Sequence, residues 1–334
     1  MIQPYRGYAN EERIYLRGRV LENEGIIAEE AQSRWHNLKD SFHRMESDEV
    51  ANATIQVTVA GNEFTVKSGP EGYFTIDEPW QAPPKSINNR WLNAKVELIE
   101  APNRSDTYET TAEIYFPSKN ADYGLITDMD DTVLQTYVTS RLKWKMVYAT
   151  FFKNAFHRLP MEGIVELFQA FEKGGNGLRQ NPVFYLSNSP TNIYDLLEDF
   201  LNLNQLPKGP VLLRDYGWHL LRKKPDELNH KIKTMRHILN MYPKLPFILL
   251  GDTASEDADY YIQIAKEFPN RIKAIYIRYT RDTKNARRVA KIIGEETDVT
   301  VALIKQTTEI WEHARLTKLL TTSDLKDLPE ETVI

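Results

Sequence analysis

The chain has no cysteine. That absence excludes disulfides, thiol nucleophiles and thiolate-held metals. Its seven histidines are scattered without the spacing of a zinc site, so any chemistry must rest on oxygen and nitrogen donors. Long apolar runs are also missing. The longest stretch without a charged residue, Gln180–Tyr194, contains Pro182 and Pro190 and falls well short of the roughly 20 apolar residues of a membrane-spanning helix. The opening MIQPYRGYANEERIY is polar where a secretory signal needs an apolar stretch of roughly 7 to 15 residues. The expectation is an unsecreted, cytoplasmic protein, soluble or peripheral to a membrane. Nor is there an excess of positive charge. Forty-two Lys and Arg against 47 Asp and Glu leave a net charge of -5, so no global field favours nucleic acid. No nucleic-acid partner is expected, and any anionic partner must meet a local basic patch.

What is present is enough to fill sizeable cores, with 41% hydrophobic and 11% aromatic residues. At roughly 150 residues per domain, 334 residues make about two domains. Residues 1–120 read as short alternating strands at Arg13–Arg17, Thr54–Val59, Phe74–Ile76, Ala94–Leu98 and Ala112–Tyr115. That pattern predicts a small antiparallel β-sandwich. A helical insert is expected over 26–45, where Ile27, Ala31, Trp35, Leu38, Phe42 and Met45 recur three or four apart.

From Tyr123 the pattern changes to apolar runs ending in polar residues and followed by helical stretches, the signature of parallel βαβ units. Strands are predicted at Leu125–Thr127, Val183–Leu186, Val211–Leu213, Phe247–Leu250, Ile272–Ile277 and Val299–Ile304. The intervening helices are expected at Glu162–Lys173, Asn192–Asn202, Glu227–Tyr242, Asp257–Phe268 and Thr283–Ile293, with Thr308–Leu320 closing the chain. The fold class is therefore α/β: a doubly wound, mostly parallel sheet over 121–320, preceded by the sandwich and followed by a tail at 321–334. Its site belongs at the carboxyl ends of the strands.

Four segments carry chemistry there. Asp128-Met129-Asp130-Asp131-Thr132 follows the first parallel strand, and carboxylates so crowded repel one another unless a cation joins them. Mg²⁺ suits the all-oxygen set. An EF-hand is excluded, because its sixth and twelfth positions would be Val133 and Thr139 rather than Gly and Glu; an acidic surface turn stays open. Ser187-Asn188-Ser189-Pro190 leads from a strand into a helix expected to begin at Pro190. It reads either as an anion site or as an ordinary cap by Ser189. Lys231, on the flank of a stripe formed by Leu228, Ile232, Met235, Leu239 and Tyr242, can reach a phosphate as a point charge or be simply solvated. Gly251-Asp252 ends a further strand, with Glu256 and Asp257 beyond. Asp252 is a candidate metal ligand or a turn residue, and Asp257 a candidate ligand or helix cap.

In this order the segments resemble the haloacid dehalogenase superfamily, whose signature is D-x-D-x-T/V, then Ser or Thr, then Lys, then G-D with a trailing acid. A closer resemblance reaches across most of the chain through Gly18–Leu21, Glu46–Val50, Thr127–Thr132, Tyr185–Pro190, Leu212–Asp215, His230–Ile232 and Gly251-Asp252. It is to the phosphatidate phosphatase family related to the yeast actin patch protein. The resemblance implies a Mg²⁺-dependent phosphomonoesterase that converts phosphatidate to diacylglycerol and phosphate. It makes Asp128 the nucleophile and Asp130 the acid and base. Asp128, Asp252 and the Asp130 carbonyl become metal ligands, Asp257 orients metal-bound water, and Ser187 and Lys231 grip the phosphoryl oxygens. Asp131 and Thr132 hold the loop, and Asn188 belongs to the substrate-side segment. Arg214, ending another strand, either helps recognise substrate or forms a structural ion pair. Thr253-Ala254 stands where relatives often have Ser-Gly, and Thr191 where many have Trp; no catalytic group is lost by either departure.

Between the first two segments, Val133–Met161 has no acidic residue and interleaves Arg141, Lys143, Lys145, Lys153 and Arg158 with Trp144, Tyr148, Phe151, Phe152 and Phe156. That composition over 141–159 suits peripheral contact with an anionic lipid surface, and equally a helix covering the site or a dimer contact. Two other functions remain open on the residues alone. One is a phosphatase of soluble phosphomonoesters or phosphoproteins. The other is a phosphate-receiving signalling domain that forms an adduct without turnover.

Overall fold

The computed structural model describes residues 1–22, 49–82, 84, 90–102, 107–129, 133, 160–174, 177–214, 230–253, 255–279, 284–293 and 299–320. The expected helical insert over 26–45, Asp130, Asp131, Thr132, the segment 141–159 and the tail 321–334 lie outside these residues. The chain divides into two compact units. Among the described residues the first comprises those of Met1–Pro117 with Pro190–Leu197, and the second takes the rest.

The first unit carries β1 (Ile2–Pro4), β2 (Gly7–Ala9), β3 (Arg13–Val20), β4 (Thr54–Val59), β5 (Asn62–Lys67), β6 (Tyr73–Pro79), β7 (Trp91–Glu100) and β8 (Tyr108–Tyr115). The predicted sandwich is corrected here to one hydrogen-bonded sheet, ordered β1-β3-β2-β8-β7-β4-β5 with β6 on the other side of β3. The cause is β2, a strand too short to show in the sequence pattern. It pairs antiparallel with β3 and parallel with β8, and so joins what would otherwise be two sheets. Period-two alternation then sends Ile14 and Leu16, Ile55, Val57 and Val59, Ile76, and Ala94 and Val96 into a single core. The sheet thus curls around its own apolar face. The β4–β5 hairpin turns at Ala60 and Gly61, both at positive φ (49° and 79°), the primed geometry that matches strand twist.

The second unit begins with β9 (Gly124–Asp128) and continues through α1 (Ile164–Lys173), β10 (Val183–Pro190, of which it takes the residues up to Ser189), α2 (Tyr194–Leu203, of which it takes Glu198 onward), β11 (Val211–Arg214), α3 (His230–Met241), β12 (Phe247–Asp252), α4 (Asp257–Glu267), β13 (Ile272–Arg278), α5 (Lys284–Ile293), β14 (Val301–Ile304) and α6 (Thr307–Leu316). Its six strands are ordered β11-β10-β9-β12-β13-β14, and the four pairings from β10 to β14 are parallel. The chain winds outward from β9 to β11, returns to β12 beside β9, and winds outward again. Every residue of β9 and β12 is buried, as expected for strands covered on both faces. Pro190 is not the first helical residue that the sequence predicts. It keeps extended backbone (φ −70°, ψ 151°) as the residue before a 3₁₀ turn over Thr191–Ile193. Among the described residues no helix is long and apolar enough to cross a membrane.

Candidate active site

Strand order places the acidic residues before any side chain is considered. In a doubly wound sheet the crevice opens at the carboxyl ends of the two strands where the winding reverses, here β9 and β12. Thr127 pairs with Leu250 across that boundary, and Leu186 of β10 pairs with Asp128. Asp128 ends β9 and Asp252 ends β12, so the two acids share one edge.

Two helices deliver their first turns to the same place. Lys231, the second residue of α3, is carried inward beside the buried stripe of Ile232, Met235, Ile238 and Leu239. Asp257 is the first residue of α4, where the helix dipole favours a carboxylate. Lys231 Nζ donates to Asp128 Oδ1 at 2.7 Å and to Asp257 Oδ1 at 2.6 Å, with all three side chains buried. Burial alone would lower the lysine's pKa; the charges of Asp128 and Asp257 outweigh it, and the net shift is upward. Asp257 is therefore turned toward Lys231 rather than capping its own helix.

One ammonium does not balance the cluster. Carboxylate oxygens of Asp128, Asp252 and Asp257 lie within 4.8 Å of one another, and all three residues are buried. Asp252 Oδ1 accepts from Ser255 N at 2.9 Å. Asp257 Oδ2 is buried with no hydrogen-bond partner, a costly state for a carboxylate oxygen. An oxygen-only donor set with an orphaned anionic oxygen fits a hard divalent cation such as Mg²⁺.

Ser187 lies one residue past the Leu186–Asp128 pairing, fully buried, and its Oγ accepts from Ser189 N at 2.9 Å. Asn188 follows at intermediate exposure. Arg214 ends the edge strand β11, two strands from β9, half-buried and apart from the carboxylates. Asp130, Asp131 and Thr132 follow Asp128 outside the described residues.

Three further residues shape the neighbourhood: Gly251, which the sequence places in the Gly-Asp signature without a role of its own, and Tyr261 and Arg278, which it does not single out. Gly251 leaves room for Asp257: a Cβ there would meet Asp257 Oδ2 at 2.7 Å and Tyr261 Cε2 at 2.8 Å. Tyr261, four residues along α4, donates its buried hydroxyl to Leu250 O at 3.0 Å. Burial, then the charges of Asp257, Asp128 and Asp252, push its pKa upward. Arg278 ends β13 in register with Asp252. A basic residue directly after the Ile272–Ile277 run was the available signal.

Residues 123–279 match the family model for the catalytic domain of phosphatidate phosphatase APP1, a span that contains Asp128, Ser187, Lys231, Asp252, Asp257 and Arg278. Phosphatidate phosphatase APP1 of Saccharomyces cerevisiae is 33% identical over 156 residues, which are 46% of this chain and 25% of that protein. An uncharacterized protein of Schizosaccharomyces pombe is 25% identical over 243 residues, 72% of this chain and 38% of the relative. The chain thus spans a quarter to about two fifths of the length of these curated relatives. A carbohydrate acetylesterase from Xanthomonas citri aligns at 12% identity over 80% of this chain and 65% of its own, with a TM-score of 0.28, too loose a likeness to bear on fold or activity.

Proposed function

We propose that this protein is a phosphomonoesterase of the haloacid dehalogenase type, acting with Mg²⁺ through an aspartyl phosphate, with phosphatidate as its substrate. The observation that carries the reading is the convergence of Asp128, Lys231, Asp257 and Asp252 at the reversal point of the parallel sheet, within the stretch matched by the phosphatase family model. Phosphatidate rather than a soluble ester is favoured by the activity for which the Saccharomyces relative is named. The interleaved basic and aromatic residues of 141–159 point the same way, toward peripheral contact with an anionic lipid surface.

Asp128 and Asp252 are the side chains that would hold the cation, with the Asp130 carbonyl, and Asp257 would orient water bound to it. When bound it supplies charge neutralisation for the phosphoryl oxygens and the acids around them. Lys231 holds Asp128 Oδ1, which fixes the rotation of the carboxylate for attack on phosphorus. The new oxygen–phosphorus bond forms as the bond from phosphorus to the glycerol oxygen breaks. Asp130 gives its proton to that departing oxygen, which leaves as the hydroxyl of diacylglycerol. Asp130 then takes a proton from water as the water oxygen attacks phosphorus. Cleavage of the acyl phosphate releases inorganic phosphate and restores Asp128. Ser187 and Lys231 donate to the phosphoryl oxygens as charge builds on them. By the resemblance, Asn188 would belong to the substrate side and Asp131 and Thr132 would hold the loop, while Arg214 would help recognise substrate or form a structural ion pair.

The test is Mg²⁺-dependent phosphate release from phosphatidate in mixed micelles and from small phosphate esters, by wild type and Asp128→Asn. Wild type is expected to prefer phosphatidate, and the variant to lose essentially all turnover while keeping its fold. Undiminished turnover by Asp128→Asn would refute the nucleophile assignment, and a stable phospho-adduct on wild type would favour a phosphate receiver.

A further inference from the structure

Arg278 is an expensive residue where it stands. Its side chain is 6% exposed, and its Nη2 donates to Thr307 Oγ1 at 3.1 Å. Its Nε is buried and has no hydrogen-bond partner. Thr307 is the first residue of α6, so the guanidinium also faces the positive end of a helix dipole. Burial lowers its pKa, a shift opposed by the charge of Glu309 in the first turn of α6. Such a cation is a poor stabiliser compared with an apolar side chain of similar size. Its placement calls for another explanation.

The hydrogen bonds around it supply one. Thr307 Oγ1, which accepts from Arg278, donates to Glu162 O at 2.7 Å. Next to Glu162, Met161 N donates to Val133 O at 3.2 Å, and Val133 N donates to Met129 O at 3.2 Å. Met129 directly follows Asp128. On the other side Thr253 N donates to Arg278 O at 2.9 Å, and Thr253 directly follows Asp252. A continuous series of contacts therefore runs from the end of β9 through the start of α1 and α6 to the ends of β13 and β12. The sequence between its anchored points Met129 and Val133 is Asp130-Asp131-Thr132. Gly163, at φ 68°, allows the sharp turn from Glu162 into α1 beside Thr307.

We propose that Arg278 and Thr307 are positioning residues: they clamp Glu162 to the carboxyl edge of the sheet and thereby fix the exit of the turn that carries the acid group Asp130. The clamp rests on the phosphatase reading given above, in which Asp130 protonates the leaving oxygen. Its effect falls mainly on that proton transfer, because the side chains of Asp128, Asp257 and Asp252 have holders of their own in Lys231 and Ser255.

Leaving-group dependence isolates the step. An alkyl phosphate such as glycerol phosphate expels a strongly basic alkoxide and needs the acid; p-nitrophenyl phosphate expels a weakly basic phenolate and hardly needs it. A positioned general acid contributes roughly 10²- to 10⁴-fold. Thr307→Val in the full chain is expected to lower kcat/KM for the alkyl ester by about tenfold or more, and for the aryl ester by less than about threefold. Thr307→Ser, which keeps the hydroxyl, should retain both rates. Arg278→Met should reproduce the Thr307→Val pattern without a lower urea midpoint. Equal losses on the two esters, or a Thr307→Ser variant as impaired as Thr307→Val, would overturn the clamp. Asp130→Asn is the reference: if it discriminates between the esters and Thr307→Val does not, the clamp alone is wrong. If neither discriminates, the assignment of Asp130 as acid falls with it.

Discussion

Lys231 and Asp257 meet at 2.6 Å from the first turns of two different helices, and only one oxygen of the aspartate is used: Oδ1 accepts from the ammonium while Oδ2 has no partner. The lysine touches Asp128 as well, so a single positive charge separates two buried negative ones. Removing it leaves those carboxylates facing each other. Lys231→Met is expected to lower stability by about 3–5 kcal/mol, the usual cost of stripping one partner from a buried ion pair, and to abolish turnover. The pH dependence has a definite sign. Because the folded pKa of Lys231 is raised, its contribution is complete below the ordinary lysine value of about 10.4 and is lost as pH rises through the folded value. Urea unfolding should show a gap between wild type and Lys231→Met that is constant at neutral pH and narrows only in strong alkali.

Gly251 tests how closely the metal-side helix must approach. Its requirement is one of space, since an added Cβ would sit 2.8 Å from both Asp257 Cβ and Tyr261 Cε2. Gly251→Ala is expected to push α4 outward at a cost of about 1–3 kcal/mol, and activity should fall further than stability because Asp257 moves with the helix. A variant with wild-type activity and wild-type melting would show that the contact is freely relaxed.

Much of this was legible in the sequence, and the reasons are specific. Buried parallel strands are continuous apolar runs, so Phe247–Leu250 and Val183–Leu186 stood out. The polar residues that end them fall at one sheet edge by topology alone. Helix spacing placed Ile232, Met235 and Leu239 on one stripe and brought Lys231 with them. The β-rich unit was harder to read. Gly7–Ala9 is three residues long, too short for alternation to register, yet it decides between two sheets and one. Asn62–Lys67 begins after an Ala-Gly turn instead of the stronger Asn-Gly signal. Arg278 was lost because the predicted strand stopped at Ile277, one residue early, and Tyr261 because a core-facing tyrosine on a helix looks like packing until its register with Gly251 is known.

Metal binding offers a readout independent of catalysis. A ligand that binds only the folded chain stabilises it by about 2.7 kcal/mol at a hundred times its dissociation constant. Mg²⁺ is therefore expected to raise the melting temperature of wild type, and a chelator to reverse the rise. Asp252→Asn should abolish the shift at the same Mg²⁺ concentration. Asp257→Asn should weaken apparent affinity about 10- to 100-fold, so that excess Mg²⁺ restores the shift. A wild-type melting curve indifferent to Mg²⁺ and to Mn²⁺ would remove the cation from the site.

Arg271 separates the scaffold from the chemistry. Its Nη2 lies within hydrogen-bond distance of Leu239 O at 3.1 Å, Tyr242 O at 2.6 Å and Leu245 O at 2.9 Å, tying together carbonyls at and just beyond the end of α3. A cation there also complements the negative end of the helix. Arg271→Met is expected to cost about 1–3 kcal/mol, because carbonyls held by a charged donor lose that donor. Lys231 lies at the opposite end of α3, so kcat/KM at a temperature where both proteins are folded should stay within about twofold of wild type, as for a surface change remote from the site. Denaturant unfolding and initial rates on the same samples check both halves. A fall in rate without a fall in stability would mean that the far end of α3 moves Lys231, and that this helix cannot be treated as a rigid support.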